Sequence, residues 1–168
     1  MAAFRGISRG NRPGVLIAVV LVVAFAGWLI GACASRQATP AKSLFASFLV
    51  DTDWLAQNRS AKELALVDLR PAGDYGQGHI PGAVNLSMAE ITDAKNAVPG
   101  MVAPKPQMES AMRGLGINEN SLVVIYDAGN TPNPGRLFWA LHYYGMERVA
   151  VLDGGYAQWR KQGLPTDN

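Results

Sequence analysis

Short apolar runs alternate with amphipathic stretches from residue 44 onward. Four of these runs, all apolar apart from Asn85 in the second, end in polar or turn residues, as strands buried on both faces do. They are Leu64–Val67, Ala83–Leu86, Leu122–Tyr126 and Val149–Leu152. A sheet made from such runs, with helices between them, is largely parallel and carries helices on both faces.

Helical patterns fill the segments between these runs. The clearest is Gln107–Leu115, in which apolar residues recur at the i, i+3, i+4, i+7 spacing of one helix face. Residues 91–106 hold three prolines and no clear period, which predicts a loop. The other predicted helices are Asp53–Asn58 behind an Asp51-Thr52 cap, Pro71–Gln77, a helix from Pro134 behind an Asn133 cap, and Tyr156–Gln162. We expect one α/β domain over residues 44–168.

The first 34 residues have a different pattern. Three arginines and no acidic residue precede an unbroken apolar run, Val15–Ile30. This order is typical of an export signal, with the positive charges kept on the cytoplasmic side. The 20 residues Val15–Ala34 are also just long enough for a retained anchor helix, at about 1.5 Å per residue across a hydrocarbon layer of about 30 Å. Both alternatives place the domain in the cell envelope, outside the cytoplasmic membrane, behind a polar tether at residues 35–43.

Cys33 favours the first alternative. The stretch Ile30-Gly31-Ala32-Cys33 resembles the lipobox of bacterial lipoproteins, whose cysteine is acylated and becomes the first residue. We therefore predict lipidation at Cys33. In the alternative, a single N-terminal transmembrane helix, Cys33 is only a small apolar residue.

Composition and charge exclude several functions. Cys33 is the only cysteine, so the chain has no intramolecular disulfide, CxxC pair or multi-cysteine zinc site. The two histidines, His79 and His142, are far apart in sequence, and we expect neither a metal nor a cofactor. From residue 33 onward there are 12 basic and 13 acidic residues, a net charge of −1, which argues against nucleic-acid binding.

Several short motifs occur together in one order along the chain. They are Val67–Arg70 (VDLR), Gly78–Leu86 (GHIPGAVNL), Val151–Gly155 (VLDGG), Trp159 and Gly163–Pro165 (GLP). Together they resemble a rhodanese domain. The start at Val50–Leu55 and the long 91–106 loop are similar to the first half of tandem thiosulfate or 3-mercaptopyruvate sulfurtransferases. The resemblance implies a three-layer α/β fold with a largely parallel sheet.

The polar residues of these motifs have structural interpretations. Asp68, at a strand end, can accept N–H bonds from the following turn, and Arg70 can donate to carbonyls or to Asp74. His79 has no cysteine or serine motif beside it, so we interpret it as a structural imidazole between two loops rather than a catalytic base. Asp153 precedes Gly154 and Gly155, and we expect it to order that turn rather than to react.

The resemblance also shows what the chain lacks. Active members carry a cysteine directly after the strand that matches Leu122–Tyr126, and its thiolate holds the transferred sulfur as a persulfide within a cradle of N–H groups. Asp127 stands at that position, and a carboxylate cannot hold a persulfide. The following loop also contains Pro132 and Pro134, and each proline removes an N–H donor. We therefore expect no catalytic residue in this chain.

Three functions remain open at this stage. The first is the non-catalytic front half of a sulfurtransferase, paired with a second rhodanese domain that supplies the cysteine. The second is a free-standing inactive module that binds a partner or small anion at the envelope. The third is a phosphatase with Asp127 as nucleophile, which needs a second aspartate two residues later, where the chain has Gly129.

Overall fold

The computed structural model describes residues 48–168. The predicted export segment, the tether and Cys33 lie outside the described residues. Among residues 48–168, no helix is long and apolar enough to cross a bilayer.

Five strands form one parallel sheet in the order β1-β5-β4-β2-β3. The strands are β1 (Leu49–Val50), β2 (Leu64–Asp68), β3 (Ala83–Asn85), β4 (Leu122–Tyr126) and β5 (Val149–Leu152). The central strand β4 is buried along its whole length and pairs with β2 and β5. The fold is therefore α/β with a parallel sheet, as predicted.

Helices cover both faces of this sheet. They are α1 (Thr52–Asn58), α2 (Ala72–Gly76), α3 (Lys105–Gly114), α4 (Asn133–Tyr143) and α5 (Gly155–Lys161), with a 3₁₀ turn at Met88–Ile91. Alternate side chains of β4 point into two separate cores. Val123 and Ile125 pack with α3 and α4, whereas Val124 and Tyr126 pack in the core that holds Leu55 of α1 and Trp159 of α5. This is the three-layer arrangement.

Four local expectations were wrong. Strand β1 was not predicted, because two residues are too few to show a period. Helix α3 begins at Lys105, inside the predicted loop, with Pro106 in its first turn, where proline is tolerated. The cap of α4 is Pro132 rather than Asn133, which is the first residue of the helix. Strand β3 ends at Asn85, because the Asn85 side chain turns back to bind the carbonyls of Asp68 and Arg70.

Candidate functional site

The loops that follow β2, β4 and β5 meet at the carboxyl edge of the sheet. The N–H of Leu69 donates to Tyr126 O at 2.9 Å, and the N–H of Tyr156 donates to Asp127 O at 2.8 Å. This edge is where open parallel sheets bind their ligands. The structure therefore brings Asp68, Arg70, Asp127 and the Gly154-Gly155 turn together at one end of the molecule.

Asp127 lies directly after β4 and is only 4% exposed. One carboxylate oxygen accepts the N–H of Gly129 at 2.6 Å, and the other accepts the N–H of Thr131 at 3.2 Å. The Thr131 hydroxyl also donates to the carboxylate. The carboxylate thus occupies the position that a bound anion would take against these donors.

The remainder of the loop offers few further donors. Pro132 and Pro134 have no N–H, and the N–H of Asn133 is bound to Thr131 Oγ1 at 3.2 Å. Thr131 was not singled out from the sequence. The signal was present, since a threonine four residues after a buried aspartate can bond to it across a tight loop. Together these contacts tie the donors of the loop to side chains of the same loop.

The turn after β5 presses against the loop after β4. A Cβ on Gly155 would lie 2.7 Å from both Asp127 O and Gly129 N, and one on Gly129 would lie 2.4 Å from Gly154 O. Gly154 and Gly155 have φ of +70° and +54°, which favours glycine. Glycines are therefore required here for close approach between two backbones.

Asp153 does not order this turn through its side chain. Its carboxylate is exposed and makes no hydrogen bond to the described residues, whereas its N–H donates to Val50 O at 2.8 Å. The backbone of Asp153 thus holds β1 against the end of β5, and the expectation for its carboxylate was wrong.

Asp68 and Arg70 form a buried ion pair behind the loop. The Arg70 guanidinium donates to Asp68 Oδ2 from Nη2 at 2.6 Å and from Nε at 3.0 Å, and Nε also donates to Oδ1 at 3.1 Å. Nη2 donates in addition to Gly78 O at 2.8 Å. The N–H of Arg70 donates to Asp68 Oδ1 at 2.8 Å, as predicted for the turn. Arg70 bonds with Asp68 rather than Asp74 because the carboxylate of its own turn is the one within reach.

Two tyrosines that the sequence gave no reason to select enclose this pair. Arg70 stacks on Tyr156 at 3.7 Å, and the Tyr126 hydroxyl accepts the N–H of Ile80 at 3.2 Å. Burial, together with the negative charge of Asp68, raises the pKa of Tyr126 well above its usual range. Burial acts to lower the pKa of Arg70, but the bonds to Asp68 outweigh it and raise that pKa. Arg70 is therefore a permanent cation whose partners are structural.

The His79 ring packs on Tyr75, and the His79 backbone pairs with the C-terminal segment. Its ring stacks on Tyr75 at 3.9 Å, and Nδ1 lies 3.1 Å from Tyr75 O. Its N–H and carbonyl pair with the backbone of Asp167, at 2.8 and 2.9 Å. His79 therefore joins the GHIPGA loop to the segment Gly163–Asn168.

The described residues of this site fit neither a metal centre nor a nucleophilic aspartate. Among residues 48–168, no group of three or more His, Cys, Asp and Glu side chains could hold a metal ion. Asp127 is nearly inaccessible and its oxygens are already hydrogen-bonded, which is unlike the exposed nucleophile that the phosphatase hypothesis requires.

Curated sulfurtransferases are similar in sequence to this chain. The 3-mercaptopyruvate sulfurtransferase of Escherichia coli (strain K12) is 34% identical over 129 residues, which are 70% of this chain and 46% of that protein. A putative thiosulfate sulfurtransferase of Synechococcus elongatus is 32% identical over 154 residues, which are 90% of this chain and 46% of that protein. The chain thus spans about half the length of the curated relatives it matches.

Solved structures show the same relationship. One of them is the crystal structure of SseA from Escherichia coli, reported as showing the rhodanese fold and catalytic mechanism of 3-mercaptopyruvate sulfotransferases. It matches 73% of this chain with a TM-score of 0.65 and 34% identity. The match covers 50% of that protein. In addition, the family model of the rhodanese-like domain matches residues 51–162. From the family model, the sequence relatives and the shared fold, the chain belongs to the rhodanese-like domain family.

Proposed function

We propose that this chain is the non-catalytic half of a sulfurtransferase that acts on thiosulfate or 3-mercaptopyruvate. Two relatives that are at least 32% identical bear these names, and the chain matches slightly less than half of each. In this proposal a second rhodanese domain supplies the persulfide cysteine, and the present domain packs against it and shapes the cleft.

One observation carries the proposal. The Asp127 carboxylate lies where the resemblance implies a cysteine, and it accepts bonds from two N–H groups and one hydroxyl of the loop. Sulfur transfer needs a thiolate to attack the donor and N–H groups to stabilise the resulting persulfide. In this proposal a carboxylate stands in place of the thiolate. The N–H groups that would face the substrate are already hydrogen-bonded to that carboxylate.

Cys33 does not replace the missing thiol in this proposal. It is the only cysteine in the chain, and it lies in the lipobox-like segment at the end of the apolar run. We propose that it is acylated and holds the domain at the outer side of a membrane, in the cell envelope. An anchor helix at Val15–Ala34 is the alternative, and it leaves the chemistry of the domain unchanged.

The experiment is a sulfurtransferase assay on the full chain, with either donor and with cyanide as acceptor. We expect no thiocyanate above background from the parent, from Cys33→Ser, which contains no thiol, or from Asp127→Asn. Turnover by Cys33→Ser would overturn the proposal, because the step would then proceed without a persulfide. Turnover by the parent and by Asp127→Asn, but not by Cys33→Ser, would instead assign the chemistry to Cys33.

The partner is tested separately, by purifying the full chain from membranes of its own cells and identifying what remains bound. A rhodanese-like protein with a cysteine in its loop, and with donor-dependent turnover in the purified complex, is the expected result. A complex without such a protein and without turnover would favour the free-standing binding module instead.

A further inference from the structure

The outer side of α4 exposes a group of aromatic rings, which we call the aromatic face: Phe48, Phe138, Trp139, His142 and Tyr143. Three of them are strongly exposed, with Phe48 at 68%, Trp139 at 57% and Tyr143 at 66%. Large aromatic side chains are rarely left in water in such a group unless something covers them.

The rings are ordered as two neighbouring rows. Phe48 packs edge-on against Phe138 at 5.5 Å, and Trp139 stacks on Tyr143 at 5.3 Å. The i, i+4 spacing places Phe138 with His142, and Trp139 with Tyr143, along one side of the helix. Within the described residues, Trp139 Nε1 and the Tyr143 hydroxyl make no hydrogen bond, so both polar tips are available to solvent or headgroups.

Charge does not oppose a lipid surface at this face. Helix α4 contains Arg136 and His142 and no acidic residue. Tryptophan and tyrosine are the residues enriched where protein meets the headgroup layer, because their rings are apolar and their tips are polar.

The path of the chain favours the same occupant. Phe48 is the first described residue, and 14 residues separate it from Cys33. At no more than about 3.6 Å per residue, these 14 residues reach at most roughly 50 Å from Cys33. A membrane that holds the chain near Cys33 therefore stays within reach of the aromatic face.

We infer that the aromatic face docks into the headgroup layer of the membrane that holds the chain. The inference rests on the membrane tether of the proposed function. Helix α4 runs from the Asp127 loop towards Tyr143, so docking at Phe48 and Tyr143 leaves the carboxyl edge of the sheet directed away from the lipid. The partner domain can then approach that edge.

The test uses the full chain in phosphatidylethanolamine–phosphatidylglycerol vesicles, with and without brominated acyl chains. Flotation with the vesicles reports the tether. The parent and Trp139→Phe share Trp28, Trp54 and Trp159. Quenching of tryptophan emission by bromine that occurs in the parent and not in Trp139→Phe therefore reports docking of Trp139. The double variant Phe48→Ser, Tyr143→Ser is expected to lower the docked fraction roughly tenfold or more. The control is Val98→Ser, which is 58% exposed on another loop and is expected to change nothing.

Each outcome has one meaning. Flotation with quenching that depends on Trp139 supports the inference. Flotation without quenching that depends on Trp139 overturns the docking and leaves the tether intact. If Trp139 is then shielded from aqueous acrylamide, a second copy or a partner domain covers the aromatic face. Failure to float overturns both the tether and the docking. Unchanged thermal unfolding of the serine variant excludes misfolding as the cause of lost quenching.

Discussion

Two aspartates at the same edge of the sheet are buried in different ways. Asp68 ends β2 and faces a guanidinium, whereas Asp127 follows β4 and faces only N–H groups and a hydroxyl. A carboxylate paired with a buried cation is part of the framework of the fold. One that instead fills a cradle of backbone donors takes the position of a ligand. The two carboxylates of this chain therefore differ in role: Asp68 neutralises a buried cation, whereas Asp127 binds the donors of its own loop.

The largest loss of stability is expected at the ion pair. Asp68→Asn leaves the buried Arg70 guanidinium without its counter-charge, which should cost about 3–5 kcal/mol in the free energy of unfolding. Urea unfolding measures it. The matched control, Asp153→Asn, changes an exposed carboxylate at the same edge and should lie within about 0.5 kcal/mol of the parent. Equal losses in both variants would show that the ion pair stabilises the fold no more than an exposed carboxylate does.

Close approach of the two loops is the next largest effect. Gly155→Ala places a methyl group 2.7 Å from backbone atoms of residues 127 and 129, whereas Gly163→Ala, also at positive φ, meets nothing within 4 Å. Both carry the strain of positive φ, so the overlap alone should make Gly155→Ala worse by about 1–3 kcal/mol. Thermal unfolding of the two variants gives the comparison. If both lose the same stability, the loops are not packed as described.

Asp127→Ala should cost less than Asp68→Asn. It removes an acceptor of three bonds but leaves no charge unpaired, so we expect a loss of about 1.5–3 kcal/mol. Thr131→Val removes only the hydroxyl and should cost about 1 kcal/mol. Urea unfolding of the two variants and their double variant measures the coupling between these side chains. If the losses of the two single variants add up to that of the double variant, the Asp127 and Thr131 side chains are not in contact.

The smallest effect concerns Tyr126, and its pH-dependent part appears at high pH. Its pKa is raised in the folded chain, so folding favours the neutral phenol. That stabilisation is complete below the unfolded pKa of about 10 and is lost as the pH rises above it. Tyr126→Phe should cost about 1 kcal/mol at pH 8 and flatten the decline in stability from pH 9 to 11. An unchanged decline would assign it to other groups.

The repeating parts of the fold could be predicted from the sequence. Strand β4 and the faces of α3 and α4 are long enough for a period to appear, and the core then selects the same residues. Strand β1 is too short for this, and it exists because the backbone of Phe48 and Val50 bonds to β5. Its position depends on tertiary pairing that no local pattern contains.

The site was predictable where partners are adjacent in sequence. The bond from the Arg70 N–H to Asp68 follows from a two-residue spacing. The stacking of Arg70 on Tyr156 joins residues far apart in the chain, and only the tertiary fold brings them together. Thr131 lies between these cases, because its reach to Asp127 depends on the shape of one loop.

Amide hydrogen exchange at Gly129 tests the central claim most directly. If the Asp127 carboxylate holds the donors of the loop, the N–H groups of Gly129 and Thr131 exchange slowly in the parent and much faster in Asp127→Ala. The comparison is the N–H of Lys95, whose bond to Asp93 Oδ1 is solvent-exposed, so it should exchange fast in both. Exchange at Gly129 as fast as at Lys95 in the parent would mean that the donors are free to receive a ligand, and the account would be wrong.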